Sequence, residues 1–219
     1  MGRAVARAAT SGARHRDGCV ATSKRTLARV PASKHLGSMP RPHRDTRAGL
    51  FHVFTHCVWA APAHFRDDID RTSFLRELVR AIRTFEWTCI AFCLMRTHYH
   101  LMLDVSDGAL PRGMQSLNFR YAINFNQRHA MRGHVQFARY GSVRIEDEEQ
   151  LLNTFRYVAK NPVEAGLCAS PADWPWSSYG AAIGVAEPYS FVDPNRVLRC
   201  FDEINELAAA QLRAHVEDS

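Results

Sequence analysis

None of the six cysteines of this 219-residue chain forms a Cys-x-x-Cys pair, so the usual zinc-ribbon and dithiol-redox signatures are missing and free thiols in a reducing compartment are expected. Cys89 and Cys93 sit in an apolar run and read as small core residues. No apolar run approaches the roughly 18–20 residues needed to cross a bilayer, because Arg, His or Asp interrupts every candidate. The arginine-rich start lacks an apolar leader with a cleavage site, so a cytoplasmic location is expected, with no membrane partner. At 46% hydrophobic and 23% charged residues, the composition excludes collagen-like and wholly disordered chains.

Acidic residues are scarce in two stretches. Residues 1–38 hold eight Lys or Arg and one acid, Asp17, whereas the net charge of the whole chain is +6. The body is therefore close to neutral, and the first 38 residues, rich in Ala, Ser, Thr and Gly, read as a basic disordered extension. The second stretch, Arg112 to Arg144, contains Arg112, Arg120, Arg128, Arg132, Arg139 and Arg144 and no Asp or Glu. Such a patch suits an anionic partner. The acids that follow, Glu146 to Glu149, have a local explanation as the N-terminus of a helix.

Residue patterning predicts strands over 50–59, 87–95 and 98–105, and a short strand or extended segment over 135–145. Helices are predicted over 68–85, 111–132 and 147–160, the last stopped by Asn161–Pro162. A final helix over about 194–216 reads as peripheral. The order strand, helix, strand, strand, helix, strand indicates an α+β domain with helices on one face of a mainly antiparallel sheet. No internal repeat is evident.

Two features carry chemistry. His98 and His100 lie two apart in a predicted strand and so point the same way, which lets two imidazoles converge on one divalent ion and leaves coordination positions open. They equally fit two half-exposed strand histidines. Tyr121 shares a helical stripe with Met114, Leu117 and Phe125, interleaved with arginines. It reads either as a core aromatic or as a nucleophile. Asn124 and Asn126 in the same helix are candidates for a third metal ligand, Asn124 lying nearer the Tyr121 face.

A longer ordered set of motifs is also present: Met39-Pro40-Arg41-Pro42, Phe51-His52-Val53, Ala91 to Met95, His98-Tyr99-His100-Leu101, Gly113 to Asn118 with Arg120-Tyr121, Phe125-Asn126, Gly133-His134 and Arg139-Tyr140. Arg156-Tyr157-Val158, Asn161 to Leu167 and Trp174-Pro175-Trp176-Ser177-Ser178-Tyr179 continue it. Over about Met39 to Gly184 the chain resembles the REP-associated tyrosine transposases.

That resemblance implies a ferredoxin-like catalytic domain over 39–184, after the 1–38 extension and before a C-terminal helical tail over 185–219. It implies a cytoplasmic, nucleoid-associated bacterial enzyme that cleaves and rejoins single-stranded hairpin DNA from palindromic repeats. His98 and His100 would hold Mg²⁺ or Mn²⁺, Tyr121 would attack to leave a 5′-phosphotyrosine, and the six arginines would contact DNA. Trp174, Trp176 and Tyr179 are read as core residues or as stacking platforms for unpaired bases. Such transposases often work as dimers, so a homodimer is a state to test.

Some positions depart from the family pattern. Arg96–Thr97 stands where Pro-Asn is usual, Gln136 and Phe137 are exchanged, Ala138 replaces Gly, and His56-Cys57-Val58-Trp59 follows the first strand. They keep open a second expectation, a binder of structured single-stranded DNA that does not cut. A metal hydrolase or deaminase using His98 and His100 ranks below both, since no Cys-x-x-Cys accompanies the pair and neither histidine begins a His-x-Glu motif.

Overall fold

A computed structural model describes residues 47–55, 63–106, 108–131, 140–201 and 206–218. The first strand, β1 (Gly49–Thr55), leads through residues outside the described set to helix α1 (Asp68–Phe85). The side chain of Asp67 caps α1 by accepting from the amides of Ile69 and Asp70, and acids fill the first turn, as the N-terminal partial charge favours. The hairpin β2 (Thr88–Leu94) and β3 (Tyr99–Val105) follows. Its turn is closed by the Met95 amide donating to the His98 carbonyl at 2.9 Å.

Helix α2 (Ala109–Arg128) starts two residues before Pro111 and ends before the predicted boundary at 132. Ala130 takes the left-handed conformation, φ 50, and the Met131 amide turns back to the Asn126 carbonyl, a closure that stops a helix without glycine. Strand β4 (Tyr140–Ile145) and helix α3 (Glu148–Glu164) complete the repeated strand-helix-strand pattern. Asp147 caps α3 through the Gln150 amide, and Glu148 and Glu149 occupy its first turn, the local role read for these acids.

The sheet order is β2-β3-β1-β4, and every adjacent pair is antiparallel. This is the split βαβ arrangement expected of a ferredoxin-like α+β domain. Side chains alternate across it. Phe51, Val53, Tyr99, Leu101 and Leu103 face a core shared with Leu78 of α1 and with Leu117 and Tyr121 of α2. Leu50, Met102 and Ile145 face a second core with Leu151, Phe155 and Val158 of α3. The expectation of helices on one face therefore describes α1 and α2, while α3 covers the opposite face. Strand β2 reads as a continuous apolar run because both its faces are buried.

The C-terminal segment is part of this second core. Helices α4 (Tyr179–Ala182), α5 (Asn195–Leu198) and α6 (Glu206–Glu217) follow a 3₁₀ turn at Pro171–Asp173. Val197, Ala208, Leu212 and Val216 are fully buried there, which corrects the expectation of a peripheral final helix. Residues 176–178 and 192–193 also satisfy the outer edge of β2: the Leu94 amide donates to the Trp176 carbonyl, and the Asp193 amide to the Cys89 carbonyl. Loop backbone thus occupies the edge on which another strand could otherwise pair. Among the described residues no helix is long and apolar enough to cross a membrane. The expected 1–38 extension lies outside the described residues.

Candidate functional site

The register of β1 against β3 builds the site. Phe54 pairs with His100 and His52 with Met102, so His52 and His100 are diagonal neighbours on the α3 face, a spacing that aromatic rings bridge. Their rings stack with centroids 5.2 Å apart, and Nε2 of His52 lies 2.9 Å from Nδ1 of His100. His98, just before β3, sets its ring edge-on to His100 at 4.9 Å. Its Nδ1 lies 3.1 Å from the Thr97 hydroxyl. Phe54 floors the group beside His52, and its ring occupies space that a Cβ on Gly141 of β4 would take, at 2.9 Å.

Helix α3 closes this cluster from above. Tyr157 sets its ring edge-on to His100 at 5.4 Å and to His52 at 5.8 Å, yet is 46% exposed. A tyrosine off the apolar stripe of its helix and open to solvent beside a histidine pair is available to a ligand. One turn further on, Asn161 is buried. Its Nδ2 donates to the Tyr157 carbonyl at 2.7 Å, and its amide lies beside the His100 ring.

Asn161 is inside α3 because the helix does not stop at 160. It runs to Glu164 with Pro162 in its interior, correcting the predicted stop. A proline here deprives the carbonyl four residues back of its donor. Pro162 falls in the last turn, the Asn161 side chain holds the preceding carbonyl, and the Ala165 and Leu167 amides close onto the Asn161 and Pro162 carbonyls.

Burial governs the protonation of the site. The pKa of His100 is lowered to about 3 by burial and by the neighbouring histidines, and that of His52 to about 4 by burial. Both imidazoles are neutral at pH 7, the form that ligates metals. The Nε2 of His100 is buried with no hydrogen bond of good geometry. No group of three His, Cys, Asp or Glu side chains suited to a metal occurs among the described residues. A divalent ion at His98 and His100 would therefore need a neutral oxygen donor as well, and the Asn161 amide beside His100 is of that kind.

Two clefts open beside Tyr157. One of about 580 Å³ has His52, Arg144, Glu146, Asn153, Thr154 and Tyr157 among its lining residues. The other, of about 340 Å³, is lined by Asn153, Arg156, Tyr157, Lys160 and Glu164. Arg156 and Lys160 thus place positive charge together in the smaller cleft, on one flank of Tyr157.

Tyr121 lies elsewhere. It is fully buried in the α1–α2 core, on the opposite face of the sheet from His98 and His100, its ring stacked on His64 at 5.4 Å. Its hydroxyl donates to the His64 carbonyl, and burial pushes its pKa up, away from the phenolate. In this fold it is a core residue, and the expectation of a Tyr121 nucleophile is corrected by its placement. Asn124 donates to Glu77 of α1 at 3.1 Å, and Asn126 is on the same helix, so neither joins the histidine pair across the sheet.

The arginines divide similarly. Arg112, Arg120 and Arg128 are exposed on α2, on the far face from the histidines. The Arg112 guanidinium sits over Phe85, and Arg128 is paired with Asp67 and Asp70. Arg144 lies over the Phe51 ring, donates to the Ala48 carbonyl and also lines the larger cleft beside Tyr157. Arg132 and Arg139 lie outside the described residues. Trp174 donates from its indole to the Leu94 carbonyl at 3.2 Å, and Tyr179 is buried with its hydroxyl on Glu217, so both serve packing.

Tyr157, Asn161, Arg156, Lys160 and His52 received no role from the sequence. The available signal was a tyrosine and an asparagine four apart, off the apolar stripe of a helix that continues through Pro162.

Residues 50–161 match the family model described as IS200-like transposase. No curated protein matches the chain in sequence. Among solved structures, that of a REP-associated tyrosine transposase bound to a REP hairpin is similar in fold, with a TM-score of 0.53 at 13% identity. The match covers 71% of this chain and 97% of that one.

Proposed function

Because the chain belongs to the IS200-like transposases, a family that moves DNA, we propose that it cleaves and rejoins single-stranded DNA beside a hairpin, with Tyr157 as the nucleophile. The observation that carries this reading is the half-exposed Tyr157 ring held edge-on to His100 at 5.4 Å. The solved structure of similar fold is bound to a REP hairpin, which supports a hairpin as the substrate here.

In the proposed reaction the phenolic oxygen of Tyr157 forms a bond to phosphorus while the opposite P–O3′ bond breaks. The phenolic proton passes to solvent in the cleft, and the leaving 3′ oxygen takes up a proton. The product is a 5′-phosphotyrosine and a free 3′-hydroxyl, and the reverse step with another 3′ end rejoins DNA without ATP. His98, His100 and Asn161 would hold Mg²⁺ or Mn²⁺, which supplies polarisation of the scissile phosphate when bound. Arg156 and Lys160 hold the strand by its phosphates on one flank of Tyr157. Thr154 and Asn153 line the cleft in which the flanking nucleotide sits. All these residues come from one chain, so the proposed site does not need the second copy of a homodimer.

Incubation with labelled hairpin DNA and Mn²⁺, followed by a denaturing gel, tests the reading. A covalent adduct is expected from the parent, none from Tyr157→Phe, and none with EDTA. Hairpin binding without an adduct under any condition would instead establish the non-cutting binder.

A further inference from the structure

We propose that His52, on strand β1, is a positioning residue that fixes the tautomer and orientation of His100. The inference rests on the metal site proposed above. The 2.9 Å separation between Nε2 of His52 and Nδ1 of His100 requires one proton between the two nitrogens. Two assignments exist. If His52 donates, the proton of the neutral His100 ring sits on Nε2, and that nitrogen has no lone pair for an ion. If His100 donates from Nδ1, its Nε2 is left as a bare lone pair, at the buried atom that has no well-formed hydrogen bond of its own.

A metal-ligating histidine commonly gives its second N–H to a carboxylate, backbone carbonyl or water, which sets the ring orientation. Here an imidazole from the adjacent strand takes that place. It is well placed to do so, because its ring is held against Phe54 at 4.9 Å, His100 at 5.2 Å and Tyr157 at 5.8 Å. The sheet register that makes His52 and His100 diagonal neighbours fixes the contact without any loop. His52 also lines the larger cleft beside Tyr157, so it joins the strand-binding face to the ion-holding histidine.

The test separates positioning from packing by the acceptor each variant keeps. His52→Gln retains a carbonyl oxygen that can accept from Nδ1 of His100, whereas His52→Leu retains bulk and no acceptor. Mn²⁺ is titrated into the full chain and each variant, read by the free-ion electron paramagnetic resonance signal. Affinity should fall about 10- to 100-fold in His52→Leu and stay within a few-fold of the parent in His52→Gln, with unchanged melting temperatures. In the Mg²⁺-loaded parent, ¹⁵N-detected histidine spectra should show His100 protonated at Nδ1. Equal Mn²⁺ affinity in the parent and His52→Leu overturns the positioning role alone. Equal loss in both variants with lowered melting marks a packing role and also overturns it. A parent that binds no Mn²⁺ overturns the metal reading itself, and this inference with it.

Discussion

Tyr121 and Tyr157 lie on opposite faces of one four-stranded sheet, the first sealed in the α1–α2 core and the second half-exposed beside His100. Their hydroxyls therefore meet different fates. Removing the Tyr121 hydroxyl leaves the His64 carbonyl without this donor, an effect of about 1–3 kcal/mol on stability. Tyr121→Phe is expected to lower the unfolding free energy by that amount in urea titration and to leave DNA cleavage per folded molecule unchanged.

Arg128 and Lys160 make opposite predictions about DNA. The Arg128 guanidinium is held by Asp67 and by Asp70, a carboxylate with 1% exposure that also meets His129. Arg128→Gln is expected to lower stability, since it strips the buried Asp70 carboxylate of a charged partner. Hairpin affinity should not change. Lys160→Gln should weaken hairpin binding and reduce the slope of log K against log salt by about 1. Fluorescence anisotropy across a salt series reads both.

Acid should unfold the protein through its buried histidines. Burial, reinforced by the neighbouring His98, lowers the pKa of His64 to about 3 from 6.5. Above pH 6.5 the ring is neutral folded and unfolded, and its contribution does not vary. Between pH 6.5 and about 3 only the unfolded chain takes up the proton, so stability falls as pH falls, by up to about 1.4 kcal/mol per pH unit. His52 and His100, lowered for the same main reason, add to this slope. Urea unfolding at pH 7, 5.5 and 4.5 is expected to show the decline, with a smaller slope in His64→Gln; equal stability at all three would contradict the buried neutral state.

Much of the scaffold was legible in local pattern. The capped apolar period over 68–85 coincides with α1, and the two apolar runs either side of Arg96–Thr97 are the β2–β3 hairpin. The histidine pair could be read as sharing a face because strand side chains alternate. Which tyrosine lies beside the histidines could not be chosen by richness in arginine. Tyr121 sits on the buried stripe of its helix, which is what periodicity measures, while Tyr157 sits off the stripe of α3.

Reading Asn161–Pro162 as a stop also hid the one-turn spacing of Tyr157 and Asn161. The pairing of Arg128 with Asp67, 61 residues away, is a tertiary contact that no local charge count shows. The burial of α6 likewise depends on the α3 face of the sheet, which the single-face expectation left uncovered.

The measurement that goes most directly to the central claim is to locate the nucleotide on the protein. The parent is trapped with labelled hairpin DNA and Mn²⁺, the DNA is trimmed with nuclease, and tryptic peptides are read by mass spectrometry. Tyr157 falls in the peptide 157–160 and Tyr121 in 121–128, because arginines precede both and Lys160 and Arg128 follow them. The account predicts the nucleotide mass on 157–160. The same mass on 121–128 would contradict it, since Tyr121 would have to leave the core to react.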